Sequence, residues 1–261
     1  MTSQTISEYK RLWLESSASV ARITLRNPPL NIIDLPMMDE LSAAVAEIES
    51  RPEISTIIFS GAGNCFSAGV DVAAHTPDKV GSMLEKFHRV IRSLIATRKV
   101  TIASVHGHCL GGGAELAMVC DLVYTAEDAQ WGFPEIQLGC FPPIAVTALS
   151  ALVGQKRAAD LILTGRTISG SDAADFGLAS GTVSRDQLES TVNETVKRLS
   201  ALSPTALAIT KNAIYAWDSM HFDKGLARAE TIYLDELMKT EDAQEGIQAF
   251  MEKRQPKWRA R

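Results

Sequence analysis

Residues 100–143 read VTIASVHGHCLGGGAELAMVCDLVYTAEDAQWGFPEIQLGCFPP, and they constrain the fold more than any other part of the chain. The run opens with Val100 to Val105, apolar and rich in β-branched residues, which predicts a buried strand. It breaks at three consecutive glycines, Gly111 to Gly113, and continues as a helical pattern to Val119. A strand that turns through glycine into a helix is the entry to a βα unit. The same stretch carries two glutamates in apolar surroundings, Glu115 and Glu135. One such residue is ordinary. Two that flank a glycine turn ask for a chemical reason.

The rest of the chain extends this pattern. Arg11 to Leu14 and Val20 to Leu25 predict a hairpin or a first pair of strands. Asp34 followed by Pro36 marks a helix start, and Leu35, Met38, Leu41, Val45 and Ile48 follow at helical spacing. Thr56 to Ser60 predicts a strand that leads into the segment FSAGVD at 66–71. Val80, Met83, Leu84, Phe87, Val90, Ile91, Leu94 and Ile95 form the clearest amphipathic helix. Leu122 to Thr125 predicts another strand. Beyond about residue 140 helices dominate: 148–153, 155–163, 172–176, 186–202, 204–217, 222–238 and a last one from Thr240 to about Lys253. The expected organisation is an α/β core over 1–200 and a helical region over 201–261, which suits packing against another subunit.

Composition removes several classes. With 261 residues, 46% hydrophobic and 22% charged, the chain is long enough to bury a full core. Its net charge of −5 comes without a Lys/Arg stripe, which argues against nucleic acid as a partner. Cys65, Cys109, Cys120 and Cys140 lack metal or disulfide spacing, which predicts free thiols in a reducing compartment. MTSQTISEYK has no apolar leader region, and no run approaches the ~20 apolar residues of a membrane span. The expected location is cytoplasmic, with no membrane partner.

Three readings compete for the glycine run. A nucleotide loop would need GxGxxG or GxxxxGK[ST], and neither is present. Close helix packing alone would also use small residues. The third reading is an oxyanion site: amides at a helix start are unpaired and lie at the positive end of its dipole. FSAGVD follows a predicted strand just as the glycine run does, so a parallel sheet would bring both loops to one edge, where ligands gather in α/β proteins.

Taken together, FSAGVD at 66–71, GHCLGGGAELAMVCDLVYTAEDAQWGFPEIQLG at 107–139, LTGRTISGSDAADFGLAS at 163–180 and FMEKRQPKW at 250–258 resemble the crotonase (enoyl-CoA hydratase/isomerase) superfamily. The likeness covers nearly the whole chain. It implies a crotonase fold, with repeated ββα units forming a spiral core and a C-terminal helical trimerisation region. It also implies an acyl-CoA thioester as substrate, a trimer or dimer of trimers, and no cofactor, coenzyme A being part of the substrate. By position the oxyanion amides fall on Val70 and Gly112, and the acid–base pair on Glu115 and Glu135. Members that hydrate carry both acids, whereas isomerases of the family often keep one. Two carboxyls can divide proton donation and abstraction if their surroundings separate their pKa values.

The chain departs from the common hydratase at WGFPEIQLGCFPPIAV. Phe133 stands where Gln is usual. Pro143 stands where a glycine amide normally helps to hold the reacting water, and proline has no N–H. The resulting pocket suits a compact, rigid acyl group. LNIID at 30–34, AHTPD at 74–78, EIQLGCFPP at 135–143, YLDELM at 233–238 and DAQEG at 242–246 are similar to the cyclohexa-1,5-diene-1-carbonyl-CoA hydratases. The other readings kept open are hydration of a linear or branched enoyl-CoA, double-bond isomerisation, and non-catalytic acyl-CoA binding.

By the same resemblance Leu30, Ala68, Gly69, Asp71, Phe133, Phe141 and Pro143 are expected at the substrate. Asp71 is also expected to order its own loop, and His75 is a candidate for the pocket wall. Met83, Leu84 and Phe87 are expected in the core or the pocket wall. Asn31, Lys253, Lys257 and Trp258 match segments that approach coenzyme A. His106 and His108, at i and i+2 without a carboxylate, make no metal site.

Overall fold

The computed structural model describes residues 5–215 and 218–259. Strands β1 (Thr5–Glu8), β2 (Leu12–Ser17) and β3 (Val20–Leu25) pair antiparallel. In β2 and β3 buried and less buried residues alternate, so one face meets the core. Helix α1 (Leu35–Glu49) begins where Asp34 predicts: the Asp34 carboxylate accepts the Met37 amide at 2.9 Å. Then come β4 (Thr56–Gly61), α2 (Val80–Ala96), β5 (Val100–Val105), β6 (His108–Leu110), α3 (Gly112–Met118), β7 (Leu122–Ala126) and β8 (Gln130–Gly132). The chain continues through α4 (Pro143–Val153), α5 (Gln155–Thr164), β9 (Thr167–Ser169), α6 (Gly170–Phe176), β10 (Gly181–Val183), α7 (Leu188–Ser200), α8 (Pro204–Tyr215), α9 (Asp218–Asp235) and α10 (Glu241–Met251).

The large sheet runs β1-β2-β3-β4-β5-β7-β10, and it is parallel from β3 onward. A second sheet, β6-β8-β9, pairs β6 with β8 in parallel. The units repeat. β5 is followed by β6 and α3, and β7 by β8 and, after a 3-10 turn, α4. β4 leads to Ser67, which bridges to Cys109 of β6, and then to α2. Strands β4, β5 and β7 therefore each hand the chain to a short pairing in the second layer before a helix returns it. All six residues of β5 are buried, the polar Thr101 and Ser104 included.

Two differences from the sequence reading have physical reasons. The three-residue strands β6, β8 and β9 are too short to show a period, and they become strands only through each other. Helix α4 starts at Pro143 rather than Ala148, because a proline in the first helical position needs no amide partner. No helix among the described residues is long and apolar enough to cross a membrane.

Candidate active site

The register of the small sheet assembles the site. Leu110 pairs with Gly132, and the Gly111 amide donates to the Gly132 carbonyl at 2.9 Å. The turn after β6, which carries the glycines, therefore lies beside the turn after β8, which carries Phe133, Pro134 and Glu135. Glu115 sits in the first turn of α3 and Glu135 in the 3-10 turn Pro134–Leu138. Gly111 has φ +50°, and a Cβ there would lie 2.6 Å from Glu135 Oε1. Glycine is required by both the backbone and the neighbour.

FSAGVD is laced against β6. The Ser67 amide donates to the His108 carbonyl at 3.0 Å, and the Leu110 amide donates to the Ser67 carbonyl at 3.0 Å. Asn31 holds the loop from below, donating from Nδ2 to the carbonyls of Ala62 and Cys65, both at 2.9 Å. Where the loop bridges to Ile33, Gly69 supplies the acceptor for the Ile33 amide and Asp71 supplies the donor to the Ile33 carbonyl. The intervening Val70 amide faces the other way and has no backbone acceptor among the described residues. The Gly112 amide, first in α3, also has none. A Cβ on Gly112 would come within 2.5 Å of Val70 Cγ2, so the two residues are in contact. Two unpaired amides thus stand side by side.

Both carboxyls face the same cavity as these amides. Glu115 is 3% exposed, and its Oε1 accepts the amides of Ile144 and Ala145 at 2.9 and 3.0 Å. The start of α4 therefore stabilises a negative charge on Glu115. Glu135 is only half-buried as a residue, yet its Oε2 is enclosed and accepts nothing. Burial raises both carboxyls above the ordinary range. Glu135 is raised further by the charge of Glu115, whereas the α4 amides pull Glu115 back down. Both effects place Glu135 above Glu115.

Val70, Met83, Leu84, Phe87, Phe141 and Pro143 supply apolar wall, and His75, His88 and Tyr233 complete it. The cavity is about 20 Å³, the size that holds a single water. Three larger hollows, of about 420, 320 and 560 Å³, are lined by neither glutamate. Phe141 meets Tyr233 edge to face at 5.1 Å.

Other expected residues lie differently. Phe133 is fully buried in the core and does not line the cavity. Ala68 donates its amide to the Leu30 carbonyl, and Gly69 donates to Ser67 Oγ. Both shape the loop rather than face the cavity. Leu30 is 40% exposed, outside the cavity. The Asp71 carboxylate accepts the Ala73 amide and so orders its loop. His75 reaches the wall, with Nδ1 against the Asp71 carbonyl at 3.0 Å. Trp258 borders a separate open groove beside Ile136.

His88, Glu230 and Tyr233 took no part in the site expected from sequence. His88 falls on the apolar stripe of α2 with Leu84, Phe87 and Ile91, and a polar residue on such a stripe is the signal that could have found it. Tyr233 and Glu230, three apart on α9, bring the C-terminal helices into the site.

Two unpaired amides and two carboxyls gather around one cavity where strands of a βα core end, a constellation suited to polarising a carbonyl and moving protons beside it. The chain belongs to the enoyl-CoA hydratase/isomerase family: the model of that family matches residues 15–261. It is 33% identical to a cyclohexa-1,5-dienecarbonyl-CoA hydratase of Thauera aromatica, over 96% of this chain and 97% of that protein. It is 37% identical to a probable enoyl-CoA hydratase of Bacillus subtilis, over 92% and 95%. The crystal structure of an enoyl-CoA hydratase from Mycobacterium avium subsp. paratuberculosis superposes with a TM-score of 0.87 at 27% identity, covering 97% of this chain and all of that one. The crotonase fold expected from sequence is the fold observed.

Proposed function

We propose that this protein adds water to an α,β-unsaturated acyl-CoA thioester through an enolate held by the Val70 and Gly112 amides. The observation that carries the reading is the asymmetry of the carboxyl pair. Glu115 is held by two amides and suits the base; Glu135, whose enclosed Oε2 has no partner, suits the acid. Glu115 takes a proton from water as the water oxygen bonds the unsaturated carbon. The π electrons move into the thioester, whose oxygen accepts from the two amides. Glu135 then gives its proton to the α-carbon. The pair has passed one proton across the substrate and resets when product leaves. No cofactor enters beyond the coenzyme A of the substrate.

The substrate we propose is a cyclic dienoyl thioester. Flat or rigid groups dominate the wall (Phe87, Phe141, Tyr233, Pro142 and Pro143), and the relative from Thauera aromatica carries that activity in its name. Entry of a ring requires the side chains of this small cavity to move, with Met83 and Leu84 the most adaptable among them. A cytoplasmic trimer or dimer of trimers belongs to the same proposal. Exposed Leu163, Leu202, Ile209 and Ile214 support the assembly.

Turnover of crotonyl-CoA against a cyclic dienoyl-CoA, followed in deuterated water, tests this. The expected result is net hydration, faster on the ring. Preference for the linear substrate would overturn the substrate class. Deuterium uptake at carbon without net addition of water would overturn hydration in favour of isomerisation.

A further inference from the structure

Hydration needs a held water, and the start of α4 offers none of the usual means. Pro142 and Pro143 have no amide hydrogen, and the next two amides, Ile144 and Ala145, both donate to Glu115. The opposite wall carries a group without a partner. The His88 side chain, from α2, is 0% exposed and lines the same cavity as the two glutamates. Its Nδ1 lies 2.6 Å from Glu230 Oε1 on α9. That oxygen also accepts from the Arg92 guanidinium at 2.9 Å. An oxygen placed between two donors takes its hydrogen from the ring, so Nδ1 carries the proton and Nε2 keeps its lone pair. Nε2 is buried and has no partner. Burial holds the imidazole pKa down, which favours the neutral ring that can accept. Among the described residues lining this cavity, Nε2 and Glu135 Oε2 are the buried side-chain atoms without a partner. Buried polar atoms are rarely left so unless something else satisfies them.

We propose that His88 holds the attacking water: Nε2 accepts one of its hydrogens while Glu115 takes the other. Glu230, itself fixed by Arg92, sets the tautomer and direction of the ring. This role rests on the hydratase reading. It takes over what the missing Pro143 amide would have done, from the α2 wall instead of the α4 start. His88 neither gains nor loses a proton: the water proton goes to Glu115, the oxygen goes to carbon, and the α-carbon is protonated by Glu135.

The test compares two reactions of one protein. Hydration needs the water. Exchange of the α-proton of a saturated acyl-CoA in deuterated water needs the oxyanion amides and Glu135 but no attacking water. His88→Leu is expected to lower hydration by about 10²-fold while exchange stays within about threefold of wild type. His88→Gln, which restores an acceptor, is expected to recover part of the hydration. Equal losses of both reactions in His88→Leu would mark a merely structural role and overturn the proposal, as would unchanged hydration. If the leucine variant does not fold, the hydration-to-exchange ratio of His88→Gln decides: a lowered ratio supports the proposal and an unchanged one overturns it. A wild type that exchanges the α-proton but hydrates no enoyl-CoA would overturn the hydratase reading and this role together. Hydration by wild type with an unchanged ratio in the variants overturns the role of His88 alone.

Discussion

Glu115 and Glu135 share one cavity, so neither titrates alone. Both are raised by burial, and Glu135 also by the charge of its neighbour. In the proposed mechanism the active form has Glu115 ionised and Glu135 protonated. Falling pH protonates Glu115 and removes the base; rising pH ionises Glu135 and removes the acid. Turnover should follow a bell whose limbs both lie above the ordinary carboxylate range. The same shifts fix a stability trend. A carboxyl with a raised folded pKa leaves the fold most stable at low pH and erodes it as pH rises through that pKa. Glu135→Gln removes the erosion at that position. The melting temperature of Glu135→Gln should therefore gain on wild type steadily as pH rises from the ordinary carboxylate range to above neutrality. A gap independent of pH would show that Glu135 is not raised.

At the scale of elements, the site depends on how the C-terminal helices are tied to the core. Helix α9 supplies Tyr233 to the cavity and Glu230 to His88. Helix α8, just before it, is anchored by Lys211, whose Nζ lies 2.8 Å from Asp121 Oδ2 and donates to the Lys99 carbonyl at 2.9 Å. Asp121 in turn accepts the Thr101 amide of β5 at 2.7 Å. The two side chains are 6% and 13% exposed, so the pair is poorly screened. Lys211→Met leaves a buried carboxylate without its cation, a loss of about 3 kcal/mol. A fall in the denaturant midpoint at constant slope is the expected result, and an unchanged midpoint would show that the pair contributes nothing net.

At the scale of the whole molecule, what was legible in sequence was what lies in continuous segments. The glycine run, FSAGVD and Glu135 are contiguous with the strands that position them, and their composition is unusual enough to read. Val70, Gly112, Glu115 and Glu135 meet because Leu110 pairs with Gly132 and Ser67 bridges to Cys109. His88 and Glu230 are 142 residues apart and meet only through the packing of α2 on α9, which no motif records. Phe133 is expected at the substrate because it stands where the family usually has Gln, yet past the end of β8 its ring is fully buried in the core. The start of α4 was hidden by a proline pair that reads as a loop until Glu115 is found docked on the amides that follow it. The central claim is that this carboxyl pair performs the proton transfers of a hydratase. Its most direct test is turnover of Glu115→Gln and Glu135→Gln on the best enoyl-CoA substrate, with thioester binding measured alongside. Each should lose at least ~10² in turnover while binding survives; wild-type turnover in either variant would contradict the account.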